Sequence, residues 1–351
     1  METSFLALLR RTGLRKKQCC AWVVLRRYLC ALTPSFTHLL FSQLPSRPHV
    51  QKLATLTGHR DCVYALAGTA GQETFYSAGA DGLVAAWNVA APEQDGELVA
   101  KVENSVYALL HLPERNLLVL GHNFQGIQVI DLAAKKLVYA TALPATAIFA
   151  IVYSARQQRL YAGLADGTLA VLRADDFRVE TLLRLSEKSL RCLALHEQRG
   201  ELTVGGSDWR VRVLDAGSLR VKRVIEGATN SVFTAEYSPD GRYLLTAGRD
   251  AHLRIWDVAA GYQEHRSIVA HMFTINHLAF SPDAQLLATC SMDKSIKLWN
   301  AQSWELLRVV DRARHAGHGT SVNKLFWPGR QNRLVSCSDD RSLAVWQLSS
   351  E

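Results

Sequence analysis

One stretch of this 351-residue chain is written twice in succession. From Ser231 the chain reads Ser-Val-Phe-Thr-Ala-Glu-Tyr-Ser-Pro-Asp-Gly, then Tyr-Leu-Leu-Thr-Ala-Gly-Arg-Asp, then Leu-Arg-Ile-Trp-Asp, ending at Asp257. The same order of residue types returns between Thr274 and Asn300. Each copy predicts three short alternating strands. In the first copy these are Val232 to Tyr237, Tyr243 to Ala247 after a Ser-Pro-Asp-Gly turn, and Leu253 to Asp257 after a turn at Asp250. A sheet this small cannot bury its faces alone, so copies must stack on one another.

The pattern extends along most of the chain, with its closing aromatic or aliphatic residue at Trp87, Ile130, Leu172, Leu214, Trp256, Trp299 and Trp346. The intervals are 43, 42, 42, 42, 43 and 47 residues, close to the roughly 40–45 expected of a four-stranded blade. Seven units follow. The chain resembles the WD-repeat β-propeller family through Gly58-His59 with Trp87-Asn88, Trp256-Asp257, His271 with Trp299-Asn300, and Gly317-His318 with Trp346-Gln347. The resemblance covers residues 51–348 and implies an all-β, seven-bladed β-propeller.

The last copy stops at Trp346 to Leu348 with three strands, whereas an alternating segment, Gln51 to Leu56, precedes the first. Exposed sheet edges are a liability that ring closure removes, so this first strand is expected to complete the last blade. The domain reading is therefore a leader, 1–49, followed by one propeller, 50–351.

Eight of the forty basic residues and one of the thirty-two acidic ones lie in residues 1–48, which leaves 32 basic against 31 acidic in the rest. The formal charge of +8 is thus a property of the leader, and the nearly neutral ring gives no reason to expect a nucleic-acid partner. The leader lacks the unbroken apolar core of a secretory signal and the roughly 18 apolar residues of a membrane span. An arginine-rich, acid-poor composition suits an organelle transit peptide; an unstructured tail is the alternative. A further expectation is that the biological chain begins near Val50, since the only methionines are Met1, Met272 and Met292.

Of seven cysteines, Cys290 and Cys337 share one repeat position with Ala78, Gly163, Gly205 and Ala247, which reads as a small filler in a tight strand. No Cys-x-x-Cys spacing occurs, and His111, His122 and His196 share no ligand spacing, so neither a metal nor another cofactor is expected. Unpaired thiols favour a reducing, cytoplasmic setting.

Three copies carry a hydroxyl, an imidazole and a carboxylate: His59, Ser77 and Asp81 with Trp87; His271, Thr289 and Asp293 with Trp299; His318, Ser336 and Asp340 with Trp346. One such set would suggest a hydrolase. Three equally spaced sets argue instead for a repeated brace, and the resemblance implies one in which Asp orients His, His meets the hydroxyl and the hydroxyl meets the Trp N–H. The fifth unit has Ala228 in place of His beside Thr246, Asp250 and Trp256. The third and fourth units keep only Asp166 and Asp208, and the second has Phe124 at the aspartate position. These four units are expected to rely more on apolar packing.

A propeller's walls are committed to packing, which leaves loops and the channel mouth for function. The resemblance points to two repeat positions there. The first holds Tyr64, Tyr107, Phe149, Arg191, Phe233, Asn276 and Asn323; the second holds Ala80, Asn123, Ala165, Ser207, Arg249, Met292 and Asp339. Aromatics and arginine dominate interface energetics, so Tyr64, Tyr107, Phe149, Arg191, Phe233, Arg249, Met292 and Asp339 are the candidate partner-binding set. The expected function is a non-catalytic scaffold for a protein or peptide partner. The alternatives are an enzyme using Arg191, Arg249 and Asp339 at the channel, and a nucleic-acid or phosphate reader. The longer interval before the seventh unit adds Arg312 and Arg314, which would either meet an acidic partner or lie solvated.

Overall fold

The computed structural model describes residues 47–329 and 332–350. Expectations for the leader up to residue 46 lie outside the described residues. Among the described residues, twenty-eight strands form seven antiparallel four-stranded sheets. Taken inside to outside, the blades are β2 (Val63–Gly68) to β5 (Glu97–Lys101), β6 (Val106–Leu112) to β9 (Lys136–Thr141), β10 (Ile148–Ser154) to β13 (Val179–Arg184), and β14 (Leu190–His196) to β17 (Val221–Ile225). They continue with β18 (Val232–Tyr237) to β21 (Gln263–Val269) and β22 (Ile275–Phe280) to β25 (Leu306–Val310). The seventh runs β26 (Val322–Phe326), β27 (Arg333–Ser338), β28 (Leu343–Ser350), and its outer strand is β1 (Pro48–Leu56).

The first strand among the described residues therefore closes the ring, as expected, and it begins at Pro48. Its antiparallel register runs from Pro48 opposite Ser350 to Leu56 opposite Leu343, with Lys52 opposite Trp346. The edge of β28 that would otherwise be open is paired along its length.

Stacking of blades is visible in the core. Seven apolar clusters fill the seven gaps between neighbours. The gap between the seventh and first blades holds Leu56, Val63, Phe75, Trp87, Val335, Leu343 and Val345, all buried, so the ring has no seam. The second and third strands of a blade are sandwiched on both faces and read as continuous apolar runs, such as Leu160 to Leu164 and Leu169 to Leu172. Outer strands face water: β9 and β13 are exposed along most of their length.

The small-filler reading holds for Ala78, Cys290 and Cys337, which are fully buried. A Cβ on Gly205 would fall 2.5 Å from Cys192 Sγ, so no larger residue fits that blade. The described cysteines are unpaired. The insertion before the seventh blade forms one helical turn, Arg312–His315, capped by Asp311, whose carboxylate accepts from Arg314 N at 2.9 Å. Lys52 on β1 donates to Ala316 O at 2.5 Å, so this insertion folds against the outer strand, and Arg314 pairs with Asp311.

Candidate functional site

The mouth is built by a defect repeated seven times. On each innermost strand the pairing slips by one residue after the leading aliphatic. In the first blade Val63 pairs with Gly79 and Ala65 with Ala78, leaving Tyr64 as the extra residue. The same bulge falls at Tyr107, Phe149, Arg191, Phe233, Asn276 and Asn323. A bulge bends its strand and re-aims the extra side chain. Close approach of the incoming loop requires Gly79, where a Cβ would meet Cys62 O at 2.0 Å.

These seven side chains line one cavity of about 670 Å³, together with Met292 and Asp339. They are partly buried and in contact. Tyr64 stacks on Tyr107 with centroids 5.0 Å apart, and Tyr107 meets Phe149 edge-on at 5.5 Å. The Arg191 guanidinium lies 3.8 Å from the Phe149 centroid and 4.5 Å from that of Phe233, a double cation–π clamp. Burial lowers the Arg191 pKa from its usual value, although the group remains a cation near neutrality. Two amides close the arc. Asn276 Nδ2 donates to Ser321 Oγ at 2.9 Å and to Val322 O at 2.8 Å; Asn323 Nδ2 donates to Val63 O at 2.9 Å and Asp339 Oδ1 at 2.7 Å.

Arg249 stands apart from this cavity. It borders an adjoining groove of about 550 Å³ with Asp250, Met272, Phe273 and Thr274, and Phe233 and Met292 are shared between the two. Met272 and Phe273 are 82% and 60% exposed, which makes this side of the mouth the more apolar.

Sequence reasoning passed over the next layer inward. Two residues after the leading aliphatic stand Ala65, Ala108, Ala150, Cys192, Thr234, His277 and Lys324, all on the same cavity. Five are small or neutral, while His277 and Lys324 bring ionisable groups into the channel; reading that column of the repeat would have found them. Burial holds His277 well below the usual imidazole range, with Lys324 adding repulsion, and it lowers Lys324 in turn. Burial pushes the nearby Glu236 carboxyl up to about 8 against the pull of Lys324, so it holds its proton at neutrality.

The three braces are present. His59 Nδ1 faces Asp81 Oδ2 at 3.0 Å and Nε2 faces Ser77 Oγ at 2.7 Å, while Trp87 Nε1 donates to Ser77 Oγ at 2.8 Å. In the sixth blade the corresponding distances through His271, Asp293, Thr289 and Trp299 are 2.8, 2.8 and 2.9 Å. In the seventh, through His318, Asp340, Ser336 and Trp346, they are 2.9, 2.8 and 2.9 Å. With a neutral imidazole, Nδ1–H donates to the carboxylate, the hydroxyl donates to Nε2, and the hydroxyl accepts from tryptophan, which satisfies every polar atom. This is the connectivity of a nucleophilic triad, but Ser77, Thr289 and Ser336 are 0% exposed and cannot meet a substrate. Burial tends to raise the Asp293 and Asp340 carboxyls; the bonds from His271 and His318 outweigh it and leave both well below the usual range.

Two blades expected to lean on apolar packing carry a different brace. Asp208 accepts from Arg212 at 2.5 Å and from Ser186 Oγ at 3.0 Å. Asp250 accepts from Arg254 at 2.7 Å and from Thr229 N at 3.0 Å, and both charged side chains of that pair are 6% exposed. An arginine four residues after the turn aspartate thus replaces the missing histidine. The third blade has only Asp166 accepting from Thr168 N at 2.9 Å. In the second, Phe124 takes a left-handed conformation (φ 74°) and points outward, and His122 is buried with neither ring nitrogen partnered, its pKa pushed to about 4. His111 meets Thr69 Oγ1 at 2.9 Å and His196 Nε2 donates to Gly241 O at 3.2 Å, so both are spent locally.

The family described as "WD domain, G-beta repeat" matches residues 50–88, 219–257, 262–300 and 310–347. Three of the matches take in the outer strand of one blade and end on the third strand of the next, whereas 310–347 begins at the last residue of β25; 50–88, for example, holds β1 with the first blade from β2 to its third strand, Leu83–Asn88. Among curated relatives, the nuclear distribution protein PAC1 of Ajellomyces capsulatus (strain H143) is 29% identical over 46% of this chain and 35% of its own length. Telomerase protein component 1 of Rattus norvegicus is 25% identical over 78% of the chain and 10% of its own length. The U3 small nucleolar RNA-associated protein 21 of Saccharomyces cerevisiae (strain ATCC 204508 / S288c) is 31% identical over 24% and 9%. The chain therefore spans about a third or less of these relatives. With the repeat matched at four places and seven blades closed by the first strand, the chain belongs to the WD-repeat β-propeller family.

Proposed function

We propose that this ring is a non-catalytic platform for protein–protein assembly, which binds a protein or peptide partner at the channel mouth and the loops around it. The observation that carries the reading is the run of bulged residues, Tyr64, Tyr107, Phe149, Arg191 and Phe233, gathered into one contiguous arc. Rigid aromatic and arginine side chains held in place by one another lose little freedom on binding, which is what favours such groups at hot spots. The exposed Met272, Phe273 and Met292 extend the arc with apolar surface. Absence of chemistry is part of the proposal, since the three triad-like sets are sealed. A reducing, cytoplasmic compartment is likewise proposed on the free thiols. No helix among the described residues is long and apolar enough to cross a membrane.

Affinity capture from native extract tests this, with the wild-type ring beside a Tyr107, Phe149 and Arg191 triple alanine variant of unchanged melting behaviour. Loss of one specific co-purifying protein is expected; an identical catch would place the site elsewhere. Two relatives belong by name to a telomerase and to a small nucleolar RNA assembly, which gives the nucleic-acid reading a specific basis. The nearly neutral ring speaks against it, and RNA binding that weakens steeply with salt would reverse that judgement.

A further inference from the structure

The cavity at the mouth holds more positive charge than it neutralises. Among the described residues, neither the Arg191 guanidinium nor the Lys324 ammonium makes a hydrogen bond or an ion pair. The two arginines that brace blade turns are spent, Arg212 on Asp208 and Arg254 on Asp250, and Arg159 pairs with Glu180. The Arg191 guanidinium instead lies over the rings of Phe149 and Phe233, which offer no side-chain oxygen as an acceptor and leave its N–H groups to a ligand. A guanidinium held by two aromatic rings is a preorganised fork for a carboxylate.

The remaining ionisable groups do not cancel this charge. Asp339 is the one carboxylate on the cavity, and it already accepts from Asn323. Burial lowers His277 and raises the carboxyl of Glu236, which does not line the cavity, so neither supplies a compensating negative charge. Two cations against one carboxylate leave an excess of one positive charge in a partly desolvated space, where an unpaired charge is costly. An excess of one fits a single compact anion, and Asp339 on the same wall would repel a chain of phosphates. The arc around the cations is aromatic and apolar, which suits a side chain entering from a peptide.

We propose that the channel mouth receives the carboxylate of one aspartate or glutamate side chain on the bound peptide, held by the edge of Arg191 and by Lys324. This rests on the platform reading above and specifies what its partner must carry. The acidic residue enters the mouth, and its apolar neighbours lie toward Met292, Met272 and Phe273.

The test is selection of a displayed random-peptide library on the wild-type ring, followed by affinity measurements with Lys324→Met and Arg191→Gln, each checked for unchanged melting. Enriched peptides are expected to share an acidic residue. Changing it to the matching amide should weaken wild-type binding about tenfold, and far less on Lys324→Met. The peptide amide pair and its salt dependence are read on the wild-type ring, so they remain informative if a variant fails to fold. Enriched peptides without a shared acid, or an amide penalty equal on wild type and Lys324→Met, would overturn the inference and leave the platform reading intact. No enriched peptide at all would overturn both. Displacement of the peptide by inorganic phosphate or by a single-stranded RNA oligonucleotide, with acetate ineffective, would assign the cations to phosphate instead.

Discussion

Asp340→Ala should destabilise the ring far more than Asp166→Ala, although both residues sit at the same place in their repeats. The Asp340 carboxylate accepts from His318 Nδ1 at 2.9 Å, Gly319 N at 3.1 Å, Ser342 N at 3.1 Å and Ser342 Oγ at 2.5 Å. Behind it, His318 orients toward Ser336, which receives the Trp346 N–H, and all three are buried. Truncation removes four charge-assisted bonds and leaves the buried imidazole without an acceptor for Nδ1–H. Because the carboxylate is partly solvated, the loss is well below the sum of four such bonds, at about 3 kcal/mol. Asp166 accepts one backbone N–H, so its truncation costs below about 1 kcal/mol. For a domain of this size roughly 2 °C of melting temperature accompanies each kcal/mol, which separates the variants by about 4 °C or more. Differential scanning calorimetry at neutral pH, with Asp340→Asn as a milder control, measures the separation. Equal shifts for Asp340→Ala and Asp166→Ala would refute the claim that the polar chain, and not the turn itself, stabilises the blade.

Further outcomes follow from other features. The Asp293 and Asp340 carboxyls lie below the usual range in the folded ring, so their contribution is complete above the unfolded value near 4 and is lost as pH falls toward the folded values; in an acid series of melting curves the wild type should fall more steeply below about pH 4 than Asp340→Asn. Arg254→Met should cost about 3 kcal/mol by leaving Asp250 buried and unpaired, and adding Asp250→Asn should restore part of that; a double variant no better than the single one would count against the Arg brace. Removal of Val50 to Thr57 exposes the edge of β28, with aggregation expected by size-exclusion chromatography; a soluble ring that melts cooperatively would show that closure is dispensable.

Seven blades were legible because a closing residue such as Trp256 or Leu172 recurs at the period of a blade, and period survives the loss of any single motif. The outer strands were not. Val179 to Arg184 and Gln263 to Val269 face water, so they carry little apolar alternation, and the repeat reads as three strands where four exist. At the mouth, Tyr64 and Arg191 were placed by their column in the repeat, and the bulge that turns them inward is a backbone event with no residue signature of its own. Arg249 was grouped with them by a second column, whose Met292 and Asp339 do line the cavity, but Arg249 itself borders the neighbouring groove. Arg212 and Arg254 fall outside a repeat pattern defined by histidine, while the carboxylate requires only a donor that can reach it.

The offset between repeat and blade has a mechanical meaning. Since a matched repeat such as 50–88, 219–257 or 262–300 lends its first strand to the sheet before it, as 50–88 lends β1 to the seventh blade, such a repeat cannot loosen without fraying two sheets at once. Disturbance in one sector is therefore passed to its neighbour through covalent chain as well as through packed side chains, in the manner of overlapping roof tiles. A ring built this way resists piecemeal opening, and its mouth keeps a fixed outline while the partner arrives.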